Sequence, residues 1–148
     1  MFTPNKPDKI LCSVRSIWVT ATPEEKLRQA ILKYMLDKGG YPKGNTAVEV
    51  LIGQENNARR ADIVVYAKSL EKGLSPYLIV ECKAVKLNAQ MIQQVGGYNH
   101  YFEAPFIALA NQEESYWGWM DAKTKSYRLQ WGFPSYKDLA SWKPELGA

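Results

Sequence analysis

Two apolar, β-branched runs in this sequence carry charge where a buried strand should hold none. Asp62 opens the run Ala61-Asp62-Ile63-Val64-Val65-Tyr66, and Glu81 and Lys83 close the run Tyr77-Leu78-Ile79-Val80-Glu81-Cys82-Lys83. A charge taken out of water needs a partner, a metal or a chemical task. Side chains two apart on a strand share a face, so Glu81 and Lys83 project together while Cys82 points away. If the two runs pair side by side, Asp62 meets them at one rim of a sheet. Two carboxylates with an adjoining backbone oxygen, here the Cys82 carbonyl, make a hard-oxygen set suited to Mg²⁺ or Mn²⁺, ions that keep several waters and accept a phosphate. Such an ion polarises a phosphoryl group and lowers the pKa of a bound water. Lys83 would orient or help deprotonate that water, or offset charge on the phosphorane as it forms. The same letters also suit plainer roles. Glu-x-Lys at a strand end is often an exposed pair worth at most about 1 kcal/mol, and Asp62 can salt-bridge Arg59 and Arg60.

The elements that must position these groups follow from patterning. Thr22-Pro23-Glu24-Glu25 reads as a helix start, with Thr22 as N-cap, Pro23 at the first helical position and Glu25 completing a capping box. Leu27, Ile31, Tyr34, Met35 and Lys38 recur at helical spacing until Gly39-Gly40 ends the element. Val48 to Ile52 alternates as a first strand, and Gly53 to Asn57 turns the chain. Ala61 to Ala67 and Tyr77 to Lys83 are apolar on both faces, as strands central to a covered sheet are. Asn88 to Phe102 is a second helix with Met91, Val95, Tyr98 and Phe102 on one stripe. Pro105 to Ala110 is a fourth strand, and Ser115 to Met120 with Tyr127 to Trp131 an aromatic hairpin. Before the first helix, Met1 to Lys9 reads as an irregular lead-in and Ile10 to Thr20 as a small hairpin. No element is assigned from Pro134 onward. The order gives an α/β fold, a mixed central sheet flanked by helices with a C-terminal aromatic β-hairpin.

On the second helix, Gln94 and Tyr98 are four apart and share a face. Gln94 can reach toward a bound water or a phosphate, and Tyr98 can donate to a phosphate oxygen. On spacing alone, a core Tyr98 and a solvated Gln94 serve equally well. Arg59, Arg60, Lys83 and Lys86 would bring positive charge to the cleft for phosphate contacts without sequence information, or form a solvated face. Trp117, Trp119, Trp131 and Tyr127 suit base stacking less well than a core or subunit interface. Gly96-Gly97 inside a helix costs about 1 kcal/mol each, which close approach of another backbone or of DNA would justify. His100 is the sole histidine, excluding metal sites built from several histidines.

The bulk numbers bound the rest. At 148 residues, 46% hydrophobic and 23% charged, the chain suits one globular domain over residues 1–148. A net charge of +4 permits an anionic partner without requiring one. Two cysteines, Cys12 and Cys82, are expected as reduced thiols, and neither a signal-peptide pattern nor a membrane-length apolar run occurs. A soluble cytoplasmic protein is expected.

Thr22-Pro23-Glu24-Glu25 with Arg28-Gln29, Arg60 to Tyr66, Val80-Glu81-Cys82-Lys83-Ala84 and Gln94-x-x-x-Tyr98 together resemble the nuclease domain at the N-terminus of type I restriction enzyme R subunits. That domain belongs to the PD-(D/E)xK superfamily, and the resemblance runs roughly from Trp18 to Asn111. It implies a restriction-endonuclease-like core and Mg²⁺- or Mn²⁺-dependent cleavage of DNA. By position it implies Asp62 and Glu81 as metal ligands, Lys83 as catalytic lysine, and Gln94 and Tyr98 as an additional motif. Glu25 matches an acidic residue that joins the metal site in some relatives, though its place in a capping box explains it equally well. Ala61 stands where the family has proline. No Gly-x-x-x-x-Gly-Lys-Ser/Thr segment occurs, so the resemblance implies motor or specificity subunits on other chains. Two other readings stay open: a catalytically inactive nuclease-fold module binding DNA or protein, and a domain whose hairpin forms a homo-oligomer interface.

Overall fold

The computed structural model describes residues 8–52, 59–71 and 73–142. The elements run β1 (Lys9–Leu11), β2 (Trp18–Thr20), α1 (Pro23–Asp37), a short 3-10 turn (Lys43–Asn45), β3 (Thr46–Ile52), β4 (Arg59–Ser69), β5 (Gly73–Cys82), α2 (Ala89–Phe102), β6 (Phe106–Ala110), β7 (Ser115–Met120), β8 (Tyr127–Trp131) and α3 (Tyr136–Ser141). β3 to β8 form one six-stranded sheet in sequence order, antiparallel except where β5 and β6 run parallel through the α2 crossover. β1 and β2 pair separately as the small hairpin expected from Ile10 to Thr20. The turn read at Gly53 to Asn57 and residues 1–7 of the lead-in lie outside the described residues, whereas Lys9 already belongs to β1.

The double apolar faces of β4 and β5 are covered as their composition requires. On one face Ile63, Val65, Leu78, Val80 and Cys82 meet Leu27, Leu32 and Met35 of α1 and Leu139 of α3. On the other, Val64, Ile79, Ile107 and Leu109 meet Val95 of α2, with Met91, Tyr98 and Phe102 packed around it. Leu32, fully buried, carries the α1 stripe that periodicity assigned to Tyr34, which is 45% exposed. α3, unassigned in the sequence, starts with a true capping box between Ser135 and Asp138. At α1 the box is only half made. Thr22 accepts from the Glu25 N–H at 3.1 Å, but the Thr22 N–H donates to the Thr20 carbonyl and the Glu25 carboxylate turns toward two arginines.

Aromatic residues close the far end of the sheet. Trp117 is buried in the α1-side core, while Trp119 packs on Trp142 with ring centres 4.2 Å apart. Trp131, on the edge strand β8, is 66% exposed. The ring of Tyr127 fills the space beside Gly96, where a β-carbon would come within 2.7 Å of it. A tyrosine ring, rather than a backbone or DNA, therefore explains that helical glycine. Gly118 is tighter still, because a β-carbon there would overlap the Arg128 carbonyl of the paired strand. Gly118→Ala is expected to lower stability by about 2–3 kcal/mol, read as a fall in the urea midpoint at unchanged slope.

Candidate functional site

The site forms where the β4–β5 ladder stops. Regular pairing ends at Ile63↔Val80. One step further, the Asp62 side chain replaces a backbone partner, its Oδ2 accepting the Cys82 N–H at 2.8 Å. Across the other edge of β4, Glu49 stands between the pairs Val48↔Ile63 and Val50↔Ala61 and has φ of 52°. That left-handed conformation breaks the alternation of both strands. Val48 and Ile63 belong to the α1-side core, yet Val50 and Ala61, two residues away, belong to the α2-side core. A non-glycine residue held so costs on the order of 1–3 kcal/mol, and such strain gathers at functional sites. Beside this break the Asp62 carboxylate, still on β4, reaches Arg28 of α1.

Glu81 stands on β5 next to this break and is almost fully buried. Lys83 Nζ lies 3.3 Å from Glu81 Oε1, as the two-residue spacing requires. Glu81 Oε2 is buried with no hydrogen-bond partner. Burial and the neighbouring Asp62 carboxylate push the Glu81 carboxyl up to about 8, although Lys83 pulls it down. The two acid groups therefore crowd one another, a condition that a shared cation relieves.

α1 brings the remaining charges. Arg28 is buried and donates from Nη2 to Asp62 Oδ1 at 2.8 Å and from Nη1 to both Glu25 oxygens at 2.9 Å. Arg15, from the β1–β2 loop, reaches Glu49 at 3.0 Å and Glu25 at 3.3 Å. Gln29 donates to Glu25 and accepts the Ser13 N–H. Hence Asp62, Glu81 and Lys83 do converge at one rim, and Glu25 stands in the same network with its oxygens engaged by arginines and Gln29. Sequence reasoning gave no site role to Arg28, Arg15 or Glu49. The three-residue spacing of Glu25 and Arg28 on a helix was the available signal, since it places acid and base on one face.

A family model described as Type I restriction enzyme R protein N terminus (HSDR_N) matches residues 23–134. The chain belongs to this family. The match runs from the first residue of α1 to just past β8 and includes Glu25, Arg28, Gln29, Glu49, Asp62, Glu81 and Lys83, but not Ser13 or Arg15. No curated protein and no solved structure matches the chain.

Within this R-protein N-terminal fold, the other anticipated residues sit further out. Gln94 is exposed on α2, and Tyr98 is half-buried against the α2-side core. Among the described residues no hydrogen bond joins either to Asp62, Glu81 or Lys83. Arg59, Arg60 and Lys86 are exposed, with Arg60 at 3.9 Å from Glu49. Cys82 turns its thiol into the α1-side core, and both cysteines are free and buried. Among the described residues no three acidic, histidine or cysteine side chains form a ready-made metal cage. The donor set is two carboxylates, one of them with an unpartnered buried oxygen. That set fits a hard cation which completes its shell with water or phosphate oxygens. Among the described residues no helix is long and apolar enough to cross a membrane.

Proposed function

We propose that this domain is a Mg²⁺- or Mn²⁺-dependent deoxyribonuclease, the DNA-cleaving unit of a type I restriction R protein that works with motor and specificity subunits in the cytoplasm. The observation that carries the reading is the buried, unpartnered Glu81 Oε2 beside Asp62, with Lys83 attached to the same carboxyl. Asp62 and Glu81 would hold the ion, with the Cys82 carbonyl as a third donor. The chemistry such an ion supplies when bound is charge neutralisation at a phosphodiester and a lowered pKa for water. Lys83, a quarter exposed at the strand end, faces the rim where a phosphate would sit. There its ammonium orients the attacking water or offsets charge on the phosphoryl oxygens. Arg59, Arg60 and Lys86 supply phosphate contacts at the mouth, and Gln94 and Tyr98 would approach once the substrate bridges α2 and the rim.

One observation favours a second reading, a non-catalytic nuclease-fold module. Both Asp62 oxygens are already taken, by Arg28 and by the Cys82 N–H. Nicking of supercoiled plasmid separates the two. The nuclease nicks with Mg²⁺ or Mn²⁺, stops in EDTA, and loses its activity in Asp62→Ala. Retained DNA binding with no nicking under either ion would leave the module as the function.

A further inference from the structure

Arg28 is placed unlike a residue that merely stitches a helix to a sheet. Its guanidinium touches three carboxylates: Asp62 at 2.8 Å, Glu25 at 2.9 Å and Glu49 at 3.4 Å. Its Nε is buried without a partner. Glu81, which neighbours Asp62, has its Oε2 buried and equally unpartnered. The cluster thus holds one unused donor and one unused acceptor that do not meet each other. A well-settled structural ion pair leaves neither, because an unsatisfied buried polar atom costs about 1–3 kcal/mol. This arrangement suits a position with two states.

We propose that Arg28 is the resident cation of this site: it occupies Asp62 in the metal-free protein, competes with the divalent ion for that carboxylate, and withdraws toward Glu25 and Glu49 when the ion binds. The inference rests on the metal-dependent reading above. A permanent strut would make the same contacts but act with the opposite sign. If Arg28 only braces Asp62 for the ion, removing it weakens metal binding. If it competes, removing it strengthens binding, because a positive charge on the donor oxygen repels a second cation at short range. Glu25 and Glu49 give the guanidinium somewhere to stay. Both are held as well by Arg15, so the rest of the network persists after Asp62 is released.

The test is Mn²⁺ binding to the full chain by titration calorimetry, for wild type, Arg28→Met and Arg28→Lys, with thermal melts in EDTA. Arg28→Met keeps the apolar stem and removes the charge. Arg28→Lys keeps the charge but lacks the planar fork that spans Asp62 and Glu25 together. The expected result is Mn²⁺ binding tighter by about tenfold or more in Arg28→Met, with a smaller gain in Arg28→Lys and a lower melting temperature in EDTA for both. Wild type that binds Mn²⁺ while Arg28→Met binds no tighter overturns the inference and leaves the metal-dependent reading standing. If wild type and both variants bind no Mn²⁺, both fall. Should Arg28→Met fail to fold, the wild-type protein itself decides. Guanidinium ¹⁵N resonances of Arg28 shift on saturation with Mg²⁺ if it lets go of Asp62, and unchanged resonances overturn the inference.

Discussion

Lys83→Met is expected to slow metal-dependent phosphodiester cleavage by about 10²–10⁴-fold, the range lost when a positioned acid–base or charge-stabilising group is removed. The side chain, a quarter exposed and one residue past the end of β5, pairs among the described residues with Glu81 at 3.3 Å. Because the Glu81 carboxyl is pushed up to about 8 and keeps its proton over much of the neutral range, the loss of Lys83 leaves no full buried charge behind. The variant should therefore melt within a few degrees of wild type and still bind DNA. One indirect effect must be separated. Lys83 lowers the affinity of the Glu81 carboxyl for its proton, so its removal leaves that proton harder to displace and weakens ion binding near neutrality. Single-turnover nicking at saturating Mg²⁺ isolates the chemical step from that effect. Lys83→Arg should not rescue the rate, because a planar guanidinium cannot place a compact charge at the same point. A wild-type rate in Lys83→Met would remove the lysine from the reaction.

The sheet was legible because its strands are apolar and bounded by polar turns. Ser115 to Met120 and Tyr127 to Trp131 were delimited to the residue, since a two-residue alternation reports faces directly. The two acidic positions stood out for the same reason, as charges fused to strands that could not otherwise hold them. What escaped was set by tertiary context. The α1 stripe held at Leu27, Ile31 and Met35 but missed Leu32, which is buried, and wrongly included Tyr34, which is exposed, because Arg28 and Gln29 also turn inward and widen the buried face toward the ion cluster. Asn99, to which the sequence reading gave no role, is buried, accepting the Ala104 N–H and donating to the Ala104 carbonyl to close the turn from α2 into β6. α3 did carry a local signal in Ser135-x-x-Asp138, too short to weigh without its packing partners. Glu49 carried none. Its left-handed backbone stands opposite Asp62, and its carboxylate is held by Arg15 and Arg28 from distant segments.

Glu81→Gln should remove a loss of stability that the metal-free protein suffers as pH rises. A glutamic acid releases its proton near 4.5 when unfolded, whereas Glu81 in the folded chain is pushed up to about 8 by burial and by Asp62. Below 4.5 both states hold the proton and the group adds no pH dependence. Between those values the unfolded chain releases the proton while the folded chain keeps it, so rising pH favours unfolding. The slope approaches about 1.4 kcal/mol per pH unit across that window, and the total loss by pH 8 reaches a few kcal/mol. Glutamine is neutral throughout and lacks the effect. In EDTA, urea midpoints at pH 5, 6, 7 and 8 should therefore drift apart in favour of Glu81→Gln, and a constant difference across that range would refute the assignment. Divalent ion should act in the opposite sense. Binding at Glu81 requires the ionised carboxylate, so it releases that proton and stabilises wild type most above pH 7. The same ion has no ionised group to claim at position 81 of the glutamine variant. The penalty that Glu81 imposes on the empty fold is then the reserve that makes the folded protein bind a cation, and the two pH responses should mirror one another.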